Sequence, residues 1–338
     1  MDAAPWLSVL VPVYNVAPYL RQCVESVLQA ADAGVELLLL DDASTDDSAA
    51  VMRQLQSEQG AAKSVQLLAH PHNRGLSAAR NTMLDAARGD YVWFIDSDDW
   101  IHPAALPALH ALCATPDAPD MIFFDYRVVR ARDRLKHRLR GEHHRASLVG
   151  PRQQRLPGGP QLMQAVLASG NLFAWSHVSR RRLWHEPPPL RFPESKSFED
   201  MATTPRLALR AASAWHVPQA WVMYRRRDDS ISALMMSSAK VADLSGGLRG
   251  QREELLARHP GAPMAARVAL AHQAARNLWA ALRHAQRLPS DEARQSRRLA
   301  RADFYDCVGD DLASLRRAYL QRGWWWRAWR LSRALRAP

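Results

Sequence analysis

The sequence predicts an α/β protein with a Rossmann-like, mostly parallel sheet flanked by helices and a helical C-terminal extension. Short apolar runs rich in β-branched residues alternate with segments whose apolar residues recur at helical spacing, a pattern typical of parallel strands joined by helical crossovers. Polar clusters follow three of the predicted strands, and ligands of such sheets bind beyond the carboxyl ends of the strands. From about residue 240 the pattern is helical, with little strand signal.

The first hundred residues contain four predicted strands separated by helices. The run LSVLVPV at 7–13 is almost entirely apolar, as expected for a strand buried on both faces. The segment 18–31 has apolar residues at the spacing of one helical face. The alternation continues with strands at 35–40, 65–69 and 91–95 and helices at 47–59 and 76–87.

The remainder of the chain is less regular. A fifth strand is predicted at 121–129, and the basic, polar stretch 130–145 is typical of a loop or an insertion. We expect one domain over 1–235, with halves at 1–100 and 101–235, followed by a helical, basic, Trp-rich region over 236–338.

The charge is unevenly distributed along the 338 residues. The formal net charge is +11, yet residues 1–100 carry six Lys/Arg and fourteen Asp/Glu, a net of −8. Two short stretches, 130–145 and 321–338, each carry a net of +5. An acidic first section argues against nucleic-acid binding, and the two basic stretches are candidate docking surfaces for an anionic partner or a membrane.

The cysteines and the N-terminus suggest a reducing compartment. The three cysteines lie far apart and form no CxxC pair, so neither a zinc knuckle nor a disulfide framework is indicated. The first residues lack the basic and apolar regions of a signal peptide, and no apolar run approaches the roughly 20 residues of a spanning helix. We expect a cytoplasmic protein whose membrane contact, if it has one, is peripheral.

Two acidic clusters follow predicted strands. Asp96, Asp98 and Asp99 would repel one another without a cation or hydrogen-bond donors, so they form either a metal-diphosphate site or a solvated turn. Asp42 and its acidic neighbours form either a helix cap or a recognition site for base and ribose groups. Each cluster alone leaves both readings open.

A glycine turn at 73–81 leads into a predicted helix, from which Arg80 and Asn81 would either face the site or, for Arg80, pair with a surface acid. Neither the GxGxxG dinucleotide fingerprint nor the GxxxxGK[ST] phosphate loop occurs in the chain. Neither a dinucleotide fingerprint nor a phosphate loop is therefore available to bind a nucleotide.

In combination these motifs resemble those of family 2 glycosyltransferases, the inverting nucleotide-sugar enzymes with a GT-A fold. The resemblance spans roughly residues 6–235, with the motifs in the family's order. The matching stretches are LSVLVPVYNVAPYLRQCVESVLQA, VELLLLDDASTDDS, HNRGLSAARNTMLDAARGDYVWFIDSDDWIHP, SFEDMATTPRL and WVMYRRRDDSIS.

The resemblance implies a donor site in the first half of the chain. Asp42 would bind a uracil-type base, Arg80 would lie near the diphosphate or sugar, and Asp96 would contact the ribose or sugar. Asp98 or Asp99, in the DXD-type motif, would bind Mg²⁺ or Mn²⁺. The residues implied to line the nucleotide pocket are Pro12, Val13, Tyr14 and Asn15.

The resemblance also implies a catalytic base and an acceptor side. Asp200, with Glu199, would remove the proton of the acceptor hydroxyl as that hydroxyl attacks the anomeric carbon. Arg227 and Ser230 would cover the donor diphosphate from a segment after the base. Trp175 and His177 are candidate acceptor-side residues. His177 stands where relatives often have lysine, so for this residue a purely structural role is the alternative.

The Trp- and Arg-rich end lies outside this resemblance. Residues 323–336 contain four Trp, four Arg and no acid. Such a mixture suits a membrane interface, while the competing interpretation is a helix that packs its Trp face on the catalytic domain. We expect peripheral membrane contact through Trp324–Arg336.

The sequence thus predicts a metal-dependent, inverting glycosyltransferase at the inner face of the cytoplasmic membrane. It would use a nucleotide sugar, with UDP-sugar favoured, and a glycan or lipid-linked acceptor in surface polysaccharide or lipopolysaccharide synthesis. The alternatives are a nucleotidyltransferase-like enzyme, which would need a phosphate loop that VPVYN does not supply, and a non-enzymatic basic membrane-binding protein.

Overall fold

A computed structural model describes residues 4–59, 64–130, 143–226 and 237–336. The first part alternates strand and helix as predicted, because each buried apolar strand is followed by an amphipathic segment that covers the sheet. Its elements are β1 (Leu7–Val13), α1 (Ala17–Ala30), β2 (Val35–Asp41), α2 (Ser48–Gln59), β3 (Ser64–Ala69), α3 (Leu76–Ala86) and β4 (Tyr91–Phe94).

The middle part combines short strands and helices. Its strands are β5 (Trp100–Ile101), β6 (Met121–Arg130), β7 (Arg155–Pro157), β8 (His177–Arg180) and β9 (Ser213–Arg226). Its helices are α4 (Ala105–Cys113), α5 (Pro160–Ser169), the 3₁₀ turn Ala174–Ser176, α6 (Arg182–His185) and α7 (Glu199–Arg210).

The last part is helical, as predicted. Its helices are α8 (Ser238–Gly246), α9 (Gln251–Arg258), α10 (Met264–Ala285), α11 (Ser290–Val308), the 3₁₀ turn Gly309–Asp311, α12 (Leu312–Gln321) and α13 (Trp325–Arg336). No helix of the described ranges is long and apolar enough to cross a membrane.

The described strands form one mixed sheet in the order β3-β2-β1-β4-β8-β6-β9-β5, with β7 also on β9. The four strands of the first part are all parallel, because each is joined to the next by a helical crossover. β8 then enters antiparallel between β4 and β6, while β6 and β9 are parallel to each other. The mostly parallel arrangement therefore holds for the first half of the sheet, and the second half is mixed.

Both faces of the sheet are covered. Val9 and Val11 of β1 belong to a core with α1, α2 and α4, whereas Leu10 belongs to a second core on the opposite face. This alternation follows from the two-residue period of a strand, and it explains why β1 is apolar along almost all of its length.

The second core continues into the C-terminal helices. It runs from Phe94 of the sheet through Leu207 of α7 to Leu278 of α10 and Leu331 of α13. α10 packs against α5, α8 and α11, so the helical region shares a core with the sheet.

Candidate active site

The loops that follow β1 and β2 are joined at the carboxyl edge of the sheet. Val13, the last residue of β1, pairs with Asp41, the last residue of β2, so the two loops leave the sheet side by side. The Asn15 amide N–H donates to Ser44 Oγ at 3.1 Å, and Asn15 Oδ1 accepts from the Thr45 amide at 2.8 Å. The left-handed backbone of Asn15 (φ 52°) makes this turn. Of the four residues predicted to line a nucleotide pocket, Pro12 and Val13 are buried, while Tyr14 and Asn15 are exposed.

Asp46 stabilises the starts of two helices. Its carboxylate accepts from the Ala17 amide at 3.0 Å and from the Ser48 amide at 2.9 Å. Burial works to raise the pKa of Asp46, but the hydrogen bonds from Ser48 and Ala17 outweigh it and lower the pKa. For Asp46, the structure therefore agrees with the helix-cap interpretation of the cluster around Asp42.

Asp42 is held by the glycine turn. Its Oδ1 accepts from the Arg74 amide at 2.9 Å and its Oδ2 from the Gly75 amide at 2.7 Å, while His70 Nδ1 lies 2.6 Å from Oδ1. The carboxylate is 3% exposed and ties β2 to the start of α3. The contact of Asp42 with the nucleobase of a donor stays a prediction. In this structure both carboxylate oxygens accept hydrogen bonds from the protein.

Arg80 joins three predicted site residues. Its Nη1 donates to Glu199 at 2.8 Å and to Asp200 at 2.9 Å, and its Nη2 donates to Asp96 at 3.2 Å. The side chain is 1% exposed and lies against the ring of Phe192, 5.2 Å from its centroid. One guanidinium thus faces three carboxylates in a largely dry setting, which leaves the cluster with an excess of negative charge.

Asp200 lies at the start of α7, with its side chain 18% exposed. Its pKa is raised to about 7: burial raises it most and the charges of Glu199 and Asp96 raise it further, while Arg80 and a backbone hydrogen bond from Ala174 lower it in part. A carboxyl group with a pKa near neutrality is suited to accept a proton at physiological pH.

The Asp96–Asp99 turn follows β4, and Arg225 of β9 holds it. Because β5 pairs with β9 at Trp100, the Arg225 amide reaches Asp99 Oδ1 at 2.6 Å. The Arg225 Nε donates to the Asp98 carbonyl at 2.8 Å, and its guanidinium lies over the ring of Trp100. Burial first, and then the charges of Asp96 and Asp98, raise the pKa of Asp99 well above its usual value.

The geometry of this turn fits a divalent cation. Asp99 is 1% exposed, and its Oδ2 is buried with no hydrogen-bond partner in the described residues. Asp98 and Asp96 are only partly buried, and Asp96 Oδ1 accepts from Arg80. The described residues contain no group of three or more His, Cys, Asp or Glu that could hold a metal by themselves. Mg²⁺ commonly uses one or two carboxylates and completes its shell with phosphate and water.

Trp175 and His177 are both buried. Trp175 stacks on Phe173 and Tyr224, at 4.8 Å and 5.4 Å between ring centroids, and Tyr126 meets it edge-on. His177 packs on Phe123, and burial lowers its pKa to about 4, so it is neutral at pH 7. The burial and neutrality of His177 accord with its structural alternative, and an acceptor contact of either residue stays a prediction.

Some of the predicted donor contacts lie outside the described residues. Arg227 and Ser230 fall in the range 227–236, which the structure does not describe. Arg225 and Phe192 are not among the predicted site residues, although Arg225 holds the acidic turn and Phe192 packs on Arg80. The one sequence signal for Arg225 is its position in the arginine run YRRRDD. No local pattern marks Phe192 as a site residue.

The model of the family described as "Glycosyl transferase family 2" matches residues 8–174. The glycosyltransferase GlyA of Streptococcus pneumoniae serotype 4 is 27% identical over 228 residues, which cover 67% of this chain and 31% of GlyA. This chain spans about a third of the length of the first curated relatives that it matches.

Solved structures resemble the fold as a whole. A crystal structure of residues 1–349 of S. aureus TarS in complex with UDP has a TM-score of 0.67 at 18% identity, covering 91% of this chain and 82% of that chain. The mannosyltransferase PcManGT from Pyrobaculum calidifontis, in complex with GDP-Man and Mn²⁺, has a TM-score of 0.53 at 17% identity, covering 98% and 86%. At these identities the likeness shows the fold alone, and it confirms the predicted GT-A fold with a helical C-terminal region.

Proposed function

Since the chain belongs to glycosyl transferase family 2, we propose that it transfers a sugar from a nucleotide sugar to an acceptor hydroxyl with inversion at the anomeric carbon. The observation that carries the proposal is the bridge formed by Arg80, which bonds both Asp200 and Asp96. This bridge holds a candidate base beside the carboxylate turn that would contact the donor. Proton removal and donor binding can then occur within one site.

Asp200 would act as the general base. Its carboxylate accepts the proton of the acceptor hydroxyl while the hydroxyl oxygen forms a bond to the anomeric carbon. The bond from that carbon to the nucleoside diphosphate breaks on the opposite face, in one displacement. Arg80 keeps the carboxylate in place, and the raised pKa makes Asp200 a stronger proton acceptor than an ordinary aspartate.

Asp98 and Asp99 would hold Mg²⁺ or Mn²⁺ together with oxygens of the donor diphosphate. The support is the buried, unpartnered Oδ2 of Asp99 and its crowding by Asp96 and Asp98. When bound, a divalent ion would stabilise the negative charge that develops on the leaving diphosphate. Arg225 keeps the turn in the required conformation through its bonds to Asp99 and Asp98.

A nucleotide sugar is the proposed donor, with a uridine nucleotide favoured. Proteins with a similar fold have been solved with UDP, as TarS has, and with GDP-Man, as PcManGT has. The proposed acceptor is a glycan or a lipid-linked saccharide of a surface polysaccharide or lipopolysaccharide. Peripheral contact with the inner face of the cytoplasmic membrane through Trp324–Arg336 would bring the enzyme to such an acceptor.

Release of nucleoside diphosphate tests the proposal directly. The purified chain is incubated with a panel of nucleotide sugars in Mn²⁺ or Mg²⁺, and the released diphosphate is measured. We expect release with at least one donor and its loss on chelation with EDTA. Absence of binding and release with every donor would contradict the transferase function and would favour a non-enzymatic protein. Release of pyrophosphate from a nucleoside triphosphate and a sugar phosphate would favour a nucleotidyltransferase instead.

The Asp200→Asn variant separates catalysis from donor binding. We expect turnover to fall about 10²–10⁴-fold, because general base catalysis contributes roughly that factor, while the donor dissociation constant changes little. Asp117→Asn is a matched control, since Asp117 is exposed and precedes β6 at the opposite edge of the sheet. If Asp200→Asn abolished donor binding, Asp200 would be reassigned to the donor site.

A further inference from the structure

The helical pair α12–α13, residues 312–336, has an unusual composition. It contains seven Arg and four Trp and no acidic residue. Gly323, with a left-handed backbone (φ 67°), makes the turn between the two helices. We call this pair the C-terminal hairpin. Its positive charge has no counterpart within its own sequence.

The inner face of the hairpin is fixed to the protein. Leu331 and Tyr319 are fully buried, and the Trp324 amide donates to the Tyr319 carbonyl at 2.8 Å. The ring of Trp324 lies 5.7 Å from that of His272 in α10, and the guanidinium of Arg327 lies 4.0 Å from the Trp324 centroid. Trp324 therefore packs on the protein, as the competing interpretation of the sequence predicts for this segment. Because the inner face is fixed, the other tryptophans of α13 point in defined directions.

The outer face exposes the other three tryptophans. Trp325 and Trp326 are each 66% exposed and Trp329 is 47% exposed, while the rings of Trp326 and Trp329 stack at 4.4 Å. Large aromatic side chains are ordinarily buried to a greater extent, and a cluster of exposed ones marks an interaction surface. The structure thus divides the four tryptophans into one that packs inward and three that face outward.

A groove of about 750 Å³ runs between the two helices of the hairpin. Helical spacing brings Trp325, Trp329 and Arg333 into one stripe, and Arg316 of α12 faces them. None of Arg316, Arg333 and Arg336 forms an ion pair with a described residue. The groove is lined by Arg316, Leu320, Trp325, Ala328, Trp329, Ser332, Arg333 and Arg336.

This lining is complementary to a ligand that carries a negative charge next to an apolar part. Three guanidinium groups supply donors for a phosphate, while Leu320, Ala328 and the Trp rings supply apolar contacts. A second copy of the hairpin would bring arginine against arginine, so self-association is electrostatically disfavoured. A nucleic acid would extend past this short groove, and the net charge of −8 over residues 1–100 would oppose its approach to the rest of the chain.

We propose that the groove binds the phosphate headgroup of an anionic glycerophospholipid and docks the C-terminal hairpin on the membrane surface. The exposed Trp rings lie at headgroup level, where amphipathic aromatic side chains are favourable, and the arginines bind lipid phosphate. This inference deepens the membrane contact of the proposed function by assigning its ligand class and its residues.

Flotation of the full-length protein with vesicles tests the proposal. We expect binding to vesicles of phosphatidylcholine with phosphatidylglycerol, and little binding to pure phosphatidylcholine. The triple variant Arg316→Gln/Arg333→Gln/Arg336→Gln should partition about 100-fold more weakly, since each arginine near an anionic surface contributes about a fivefold factor. Trp325→Ala/Trp329→Ala should also weaken binding without changing the net charge.

Arg317→Gln is the matched control, because Arg317 is exposed on α12 but does not line the groove. It removes one charge, so Arg316→Gln is the single variant to compare with it. If Arg316→Gln and Arg317→Gln weakened vesicle binding equally, the binding would be general electrostatic attraction without a role for the groove, and the proposal would be overturned. Binding to pure phosphatidylcholine equal to that with phosphatidylglycerol would overturn it as well, and so would dimerisation or nucleic-acid binding that depends on the groove arginines.

A second measurement separates this proposal from the proposed function. Nucleoside diphosphate release without vesicles should be the same for the triple variant and the unmodified chain, because the groove arginines are not part of the candidate active site. Groove-independent vesicle binding with intact release would refute only the lipid site. Groove-dependent binding with no release from any donor would refute only the transferase function.

Discussion

At the scale of single residues, Arg80 organises the candidate site. Its guanidinium is bonded to Glu199, Asp200 and Asp96, and it is almost completely buried. Removing a buried charge that compensates others leaves those others unpaired in a medium of low dielectric constant. We therefore expect Arg80 to affect the stability of the fold as well as the position of the candidate base.

Replacing Arg80 should be costly. We expect Arg80→Ala to lower the free energy of unfolding by about 3–5 kcal/mol, the range for breaking a buried ion pair, measured by urea denaturation at pH 8. Arg53→Ala is the control, because Arg53 is exposed, and it should change stability by no more than about 0.5 kcal/mol. Equal effects of the two variants would show that the cluster around Arg80 is not coupled to folding.

The same cluster predicts a pH dependence of the rate. Asp200 must be deprotonated to accept a proton, and its pKa is raised to about 7. Turnover should therefore rise with pH through about 7 and fall about tenfold per unit below it. The residual activity of Asp200→Asn should not show this rise with pH. A wild-type profile that is flat between pH 5 and 8 would exclude Asp200 as the base with this pKa.

At the scale of elements, the register of the parallel strands brings the polar loops together. β1 is parallel to both β2 and β4, so their carboxyl ends lie side by side and the loops after them meet at one edge. The start of β4 depends on Gly89, which lies directly against β1. A Cβ atom at Gly89 would come within 2.5 Å of the Ser8 amide nitrogen and 2.7 Å of the Leu7 carbonyl carbon.

This contact predicts that Gly89→Ala destabilises the sheet. These two atoms are backbone and cannot rotate away, so we expect a loss of about 1–3 kcal/mol in the free energy of unfolding, measured by thermal melting. Gly261→Ala is a matched control, since a Cβ there meets nothing within 4 Å, and it should be neutral or mildly stabilising. Similar melting temperatures for both variants would contradict the close approach at Gly89.

At the scale of the whole molecule, one apolar core connects the sheet to the C-terminal helices. Leu207 of α7, Val241 of α8 and Leu278 of α10 belong to the same cluster. The helix that carries the candidate base is therefore packed between the sheet and the C-terminal region. The predicted division near residue 235 marks a change of composition along the chain, while the core runs across it.

Truncation after residue 235 should therefore impair folding. It removes the helices that cover α7 and exposes a large apolar surface, so we expect aggregation or loss of a cooperative thermal transition. Circular dichroism and size-exclusion chromatography of the truncated and full-length chains measure this. A truncated chain that melts cooperatively and stays monomeric would show that the first 235 residues fold independently.

The sequence by itself determined the features that depend on local periodicity. The apolar run at 7–13, the helical spacing after it and the polar clusters at strand ends follow from the side-chain periods of strand and helix, so the first half of the fold was predicted. Motif order added the family and the candidate base. The periodicity occurs within short windows of the chain, and the motif order is a property of the linear sequence, so neither depends on the tertiary structure.

The tertiary structure decided which distant residues meet. Arg80 bonds Glu199 and Asp200 from 119 and 120 positions away, and Arg225 reaches Asp99 across 126 positions only because β9 pairs with β5. It also decided that Trp324 packs inward while Trp325 and Trp329 face outward. Such pairings depend on strand order and helix packing over the whole chain, and local patterns do not encode them.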